Sequence, residues 1–304
     1  MQSATEKRLR LRRGLAAPDP VVAIGVHDAM SARLVESSGF DAAWVSGFAV
    51  STMAHAIPDL NLVTMSEALA AAVRVDSATR LPVVADCDNG FGGLNNVVRT
   101  VREYERAGIA AISIEDNLFP KRNSLLAGTV KRELLPAAEQ SRRITAAKGA
   151  QETAEFVLIA RIESLIAGHG LEDACARADA YVEAGADAIL IHSKDKTLGE
   201  IEGFLSSWQG LGSVPLVAVP TLFPAFTAEQ LRARGFNMII FANQLMRASV
   251  RAMEETLEIL AEARKLEAVE DRIAGLEHIF DLVGTRAAIE AEDAGQVAGA
   301  PPAP

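Results

Sequence analysis

Eight short runs of apolar, largely β-branched residues recur along the chain, and most are separated by stretches with apolar residues at helical spacing. The runs are 21–26 (VVAIGV), 42–46 (AAWVS), 82–88 (PVVADCD), 110–116 (AAISIED), 156–163 (FVLIARIE), 188–193 (AILIHS), 215–220 (PLVAVP) and 238–243 (MIIFAN). Gly39, Gly108, Gly185 and Gly235 each stand just before a run, where a preceding helix would end. Strand–helix alternation repeated eight times predicts an α/β protein with a closed parallel sheet, the (β/α)8 or TIM barrel. An open doubly wound sheet is the rival. Neither GxGxxG nor GxxxxGK[ST] follows the first run, which counts against it.

The periodicity predicts one catalytic domain over 1–290 and a disordered tail over 291–304, rich in Ala, Gly and Pro. Beyond the eighth run, helical sequence continues over roughly 244–265 and 267–290, more than a barrel needs. Leu257, Leu266, Ile273, Leu276, Ile279, Phe280 and Leu282 then need a surface to cover. Another subunit and the chain's own barrel both serve.

With 304 residues, 49% of them hydrophobic, the chain can bury one large core. Its net charge of −10 argues against nucleic-acid or membrane-surface binding. An anionic substrate therefore needs local cations or a metal. Cys87 and Cys175 suggest neither a disulfide framework nor a zinc site, and a reducing cytoplasm fits them. The basic stretch 1–14 lacks the apolar core of a secretory signal, and no apolar run is long enough to span a bilayer.

Barrel chemistry sits at the C-terminal ends of the strands. Here those ends carry Ser46-Gly47-Phe48, Asp86-Cys87-Asp88-Asn89, Glu115-Asp116, Arg161 with Glu163, His192-Ser193, and Asn243. Asp86 and Asp88, two apart on a strand, are expected to project to one side and to join Glu115 in a carboxylate cluster. Such a cluster repels itself unless a cation lies within it. Oxygen-only ligands favour Mg²⁺, or Mn²⁺, over zinc. Helix capping is the plainer reading of any one aspartate. Arg161, inside an apolar strand, needs an anion: a substrate phosphoryl or carboxylate group, or a structural partner in Glu163. His192 serves equally as a substrate contact or a satisfied rim residue. Gly47 lets backbone N–H groups approach an oxyanion, though a plain turn would use it too. The segment 117–128, NLFPKRNSLLAG, is long for a strand-to-helix loop. It reads as a lid whose tip presents Lys121, Arg122, Asn123 and Ser124 to an anion.

At WVSGF, DCDNGFG, IEDNLFPKRNS, IARIESLIAG, EAGADAILIHS and VPLVAVPT the chain resembles the isocitrate lyase / phosphoenolpyruvate mutase superfamily, over most of its length. The phosphonate branch fits best: phosphoenolpyruvate mutases and phosphonopyruvate hydrolases. The lyase branches carry a catalytic cysteine in a K[KR]CGH lid, where this chain reads KRNS. The resemblance implies that Asp86 ligates Mg²⁺ directly, with Asp59, Asp88 and Glu115 holding it through water. It places a pyruvyl group on the Gly47 and Phe48 amides beside Trp44. It gives Ser46, Arg161 and His192 the phosphoryl or carboxylate groups, and brings Lys121, Asn123 and Ser124 in with the lid. It also implies a homodimer or homotetramer that exchanges a helix after the eighth strand. Asn123 favours the mutase, whereas SGF and IPDLN look more like the hydrolase. Asn117 stands where mutases carry a lysine. The expected function is a Mg²⁺-dependent mutase interconverting phosphoenolpyruvate and phosphonopyruvate. The alternatives are a phosphonopyruvate hydrolase, a C–C lyase of an α-keto or 2-hydroxy acid, and a non-catalytic metabolite-binding barrel.

Overall fold

A computed structural model describes residues 2–126 and 131–295. The chain divides into two compact units, one of residues 2–243 and one that begins at Gln244. The first holds eight strands: β1 (Val21–Val26), β2 (Ala42–Val45), β3 (Val83–Asp86), β4 (Ala111–Glu115), β5 (Val157–Ile162), β6 (Ala188–Ile191), β7 (Leu216–Ala218) and β8 (Phe236–Phe241). Each pairs in parallel with the next, and β8 closes on β1. The expected barrel is therefore the observed one. β8 starts two residues earlier than its apolar run, because the polar Asn237 that interrupts the pattern turns its side chain to the Leu216 N–H and the Leu15 carbonyl.

The interior follows from the period of two along a strand. Ala42 and Trp44, Val84, Ala111, Val157 and Ile159, Ala188 and Leu190, Val217 and Val219, and Met238 and Ile240 belong to one buried cluster. Leu11 and Leu15 of the helix Ala4–Ala16 join it. That helix closes the N-terminal end. Three of its cationic residues tie it to the barrel. Arg12 donates to the Glu155 and Phe156 carbonyls and pairs with Asp187 at 2.9 Å. Lys7 pairs with Asp76 at 2.7 Å, and Arg8 donates to the Ile109 and Glu105 carbonyls.

The second unit contains the helix Gln244–Ala263, two 3-10 turns, and the helices Leu276–Val283 and Thr285–Asp293. The single helix expected over 267–290 is thus broken. Gly275 precedes one helix, and Gly284, at φ 71°, ends it in a left-handed conformation. The last helix reaches Asp293, inside the stretch expected to be disordered; residues 296–304 lie outside the described residues. Leu257, Leu266, Leu276 and Phe280 are exposed.

Candidate active site at the barrel mouth

On β2 to β6 the inward column continues to a polar residue at the mouth, and on β8 to an alanine. Two residues beyond Trp44, Val84, Ser113, Ile159, Leu190 and Ile240 stand Ser46, Asp86, Glu115, Arg161, His192 and Ala242. All six line one cavity at the mouth, with Trp44, Phe48, Asp59, Val219, Thr221 and Asn243. The loop after β4 supplies its roof: Lys121, Arg122, Asn123, Ser124 and Leu125. The expected lid residues therefore meet the expected barrel residues. Positions 127 and 128 of the lid lie outside the described residues.

Ser46 caps the helix Gly47–His55, accepting from the Ala49 N–H at 3.3 Å. The Gly47 and Phe48 N–H groups belong to the first turn, where no helical partner exists, so they are available to an oxyanion. Gly47 also has a steric reason. A Cβ there would sit 3.1 Å from an Asp88 carboxylate oxygen and 3.3 Å from one of Asp86.

Asp88 reaches that point by a route different from the expected one. β3 ends at Asp86, and Asp88 lies at φ 49°, in the left-handed region that aspartate tolerates. The two aspartates converge because the chain turns, not because a strand continues. Among the described residues, no group of three His, Cys, Asp or Glu side chains lies close enough to bind one ion directly. Direct ligation by Asp86, Asp88 and Glu115 together is therefore not what the geometry offers. Lys121 lies in their midst. Its ammonium contacts Asp88 and pairs with Asp59 at 2.8 Å. Asp86 alone faces the cavity with no cationic side chain within salt-bridge distance among the described residues.

The charge balance remains incomplete. Burial pushes the Glu115 carboxyl up to about 8, against the pull of Arg161 and Lys121. Burial pushes Asp88 up to about 6, against Lys121. Burial opposes the charge on Lys121, but Asp88 and Asp59 outweigh it and hold the ammonium well above its ordinary range. Oxygen donors only, one open carboxylate and two acids that burial holds back from ionising suit a hard divalent cation. Asp86 is the residue that would hold such an ion.

Both oxygens of Asp59 are held from the lid: one by Lys121, the other by Asn123 Nδ2 at 2.7 Å. Arg161 does have a protein partner. Its Nε donates to Glu163 at 2.6 Å, and Glu115 lies 3.5 Å away. Its Nη2 donates to Ser124 Oγ at 2.9 Å and meets His192 Nδ1 at 3.0 Å. Nη1 is the edge left open. His192 is buried and held neutral, its pKa lowered by burial and by Arg161, and its Nε2 has no partner among the described residues.

Sequence reasoning missed Asn61 as a contributor and left the contacts of Asn117 and Glu163 incomplete. Asn61 accepts from the Lys121 N–H at 2.6 Å and donates to Asp88 at 3.0 Å, joining loop, lid and acid. Its place two residues after Asp59 was the available signal. Asn117 donates to Glu115 at 3.0 Å, so an amide occupies this position beside the acid. Glu163 looked like a spare partner for Arg161, yet it also holds Ser124 at 2.6 Å.

A closed parallel barrel with acids, a guanidinium and an imidazole converging under a cationic lid is the architecture of a barrel enzyme for small anions. The family model described as phosphoenolpyruvate phosphomutase matches residues 11–261, and the chain belongs to that family. A phosphonopyruvate hydrolase from Variovorax sp. (strain Pal2) is 39% identical over 91% of this chain and 95% of its own. A crystal structure of a phosphoenolpyruvate phosphomutase from Streptomyces platensis subsp. rosaceus superposes with a TM-score of 0.91 at 43% identity, covering 94% of this chain and 98% of the other. A phosphonopyruvate hydrolase in complex with oxalate and Mg²⁺ superposes at 0.87 with 38% identity, covering 94% and 98%. The chain is thus similar to enzymes of both activities.

Proposed function

We propose that this chain is a Mg²⁺-dependent mutase that interconverts phosphoenolpyruvate and phosphonopyruvate. One observation carries the choice: the lid plugs the mouth. Lys121 and Ser124 are 4% and 5% exposed, and Lys121, Asn123 and Ser124 each bond to a barrel or loop side chain inside it. A phosphoryl group in transit between oxygen and carbon must be kept from water, or hydrolysis wins. A sealed mouth serves the mutase better than the hydrolase.

In this reading the Gly47 and Phe48 amides hold the pyruvyl oxygens against Trp44. A bound Mg²⁺ on Asp86 would stabilise the enolate charge as a Lewis acid. Arg161 Nη1 and His192 Nε2 take the phosphoryl oxygens, with Ser46 beside them. Asp59, steadied by Lys121 and Asn123, stands as a nucleophile or steering charge for the moving group. Such transfers depend mainly on positioning and charge stabilisation. The Mg²⁺ in the hydrolase relative's structure supports the metal. The exposed apolar residues of the second unit support a homo-oligomer that covers them, as exchanged helices would. No helix among the described residues is long and apolar enough to cross a membrane, and we place the enzyme in the cytoplasm.

The test is incubation of the purified protein with Mg²⁺ and phosphonopyruvate, read by ³¹P NMR. A phosphoenolpyruvate signal is expected. Inorganic phosphate instead makes the chain a hydrolase. No change in either signal leaves a lyase or a non-catalytic barrel.

A further inference from the structure

Glu163 is fully buried, and no role beyond pairing with Arg161 follows from its sequence position. Its two oxygens serve different parts of the molecule. Oε1 accepts from Arg161 Nε at 2.6 Å and lies 3.2 Å from His192 Nδ1. Oε2 accepts from the lid's Ser124 Oγ at 2.6 Å. The ring closes because Arg161 Nη2 donates to that same Ser124 oxygen. Behind it, the Glu163 N–H donates to Asp116 at 3.0 Å, and Asp116 is held in turn by Tyr181 at 2.8 Å and Arg177 at 3.1 Å. The backbone that carries the carboxylate is therefore anchored from the barrel wall, while Arg161, His192 and Ser124 hold the carboxylate itself.

We propose that Glu163 is the positioning residue of the anion subsite: it orients Arg161 so that only Nη1 remains for a ligand, and it ties that orientation to the seating of Ser124. The inference rests on the anion subsite described above. Two chemical consequences follow. Ser124 spends its hydroxyl hydrogen on Glu163, so in this arrangement it organises the subsite instead of donating to the substrate. Glu163 also cancels most of the guanidinium's charge. Arg161 then recognises an anion by direction more than by net attraction, and a phosphoryl group can leave it.

Glu163→Gln keeps the shape and removes the charge. With Mg²⁺ present, inorganic phosphate is expected to bind the full-length variant about tenfold more tightly by calorimetry, because a negative charge near the ligand is gone. Turnover is expected to fall at least tenfold, because the fork and Ser124 lose their common anchor. Opposite changes in affinity and turnover are what structural damage does not give. If phosphate affinity and turnover fall together, Glu163 is structural and the proposal is overturned. Ser124→Ala provides the second arm, since it removes one contact of the carboxylate from the lid side. The double variant is expected to lose no more turnover than the worse single one; additive losses overturn the link to Ser124. Phosphate binding needs no turnover. A protein that binds phosphate as expected but fails on phosphonates refutes the reaction and leaves the role of Glu163 intact, whereas no phosphate binding by either protein refutes the subsite and this proposal with it.

Discussion

The two ends of the barrel handle charge in opposite ways. At the N-terminal end, Lys7, Arg8 and Arg12 of the first helix are matched. Lys7 meets Asp76, Arg12 meets Asp187 and the Glu155 and Phe156 carbonyls, and Arg8 donates to the Ile109 and Glu105 carbonyls. At the mouth, Asp86 faces the cavity, Glu115 and Asp88 are pushed up by burial, and, among the described residues, Arg161 Nη1 and the buried His192 Nε2 have no partner. One end is closed electrostatically and the other is left incomplete. Unmatched buried polarity costs stability, and a fold keeps it where a ligand completes the set.

Substitutions break or sharpen that contrast. The largest effect is expected from Asp86→Ala, which should lower turnover by about a thousandfold or more, by loss of the ligand proposed here for the metal, and leave the melting temperature nearly unchanged. Activity surviving that change in the presence of Mg²⁺ would show the metal is held elsewhere. Leu11→Ala at the closed end should do the reverse. It should cost about 2–4 kcal/mol in denaturant unfolding and change the kinetics of the folded protein less than twofold. Gly47→Ala should weaken Mg²⁺ binding about tenfold by calorimetry, because the new methyl crowds the carboxylate oxygens of Asp88 and Asp86. The smallest effect belongs to Glu36, at the closed end. Hydrogen bonds from Arg80 and Thr79 outweigh its partial burial and hold its carboxyl below the ordinary range. A depressed pKa gives stability that is present above the ordinary value and lost as pH falls through the lowered one. Glu36→Gln should therefore destabilise slightly at pH 7 and have no effect near pH 2. An equal loss at both pH values would refute the charge-based account.

The barrel was legible because eight apolar runs report eight strands, and the mouth was legible because inward positions recur every second residue. Ser46, Asp86, Glu115, Arg161 and His192 are read off that count. Asp88 was placed beside Asp86 by the same count, but a left-handed turn beyond the strand end, not a continuing strand, brings it there. The lid's composition announced its chemistry, but not that Asn123 would turn to Asp59 or Ser124 to Glu163. Those pairings join positions 39 and 64 residues apart in the chain, and only folding selects them. The broken C-terminal helix follows from Gly275 and Gly284, which an apolar count passes over.

Ser46, Asp86, Arg161 and His192 each stand one rung above a packed core side chain of the same inward column. Adding or deleting a single residue within β2 to β6 would swing both to the outside together. Errors of alignment that silence the chemistry also expose oil to water, so misassembled copies are the ones that quality-control proteases find first. Loops above the rim escape that coupling, and new substrate preferences can arise there without touching the frame.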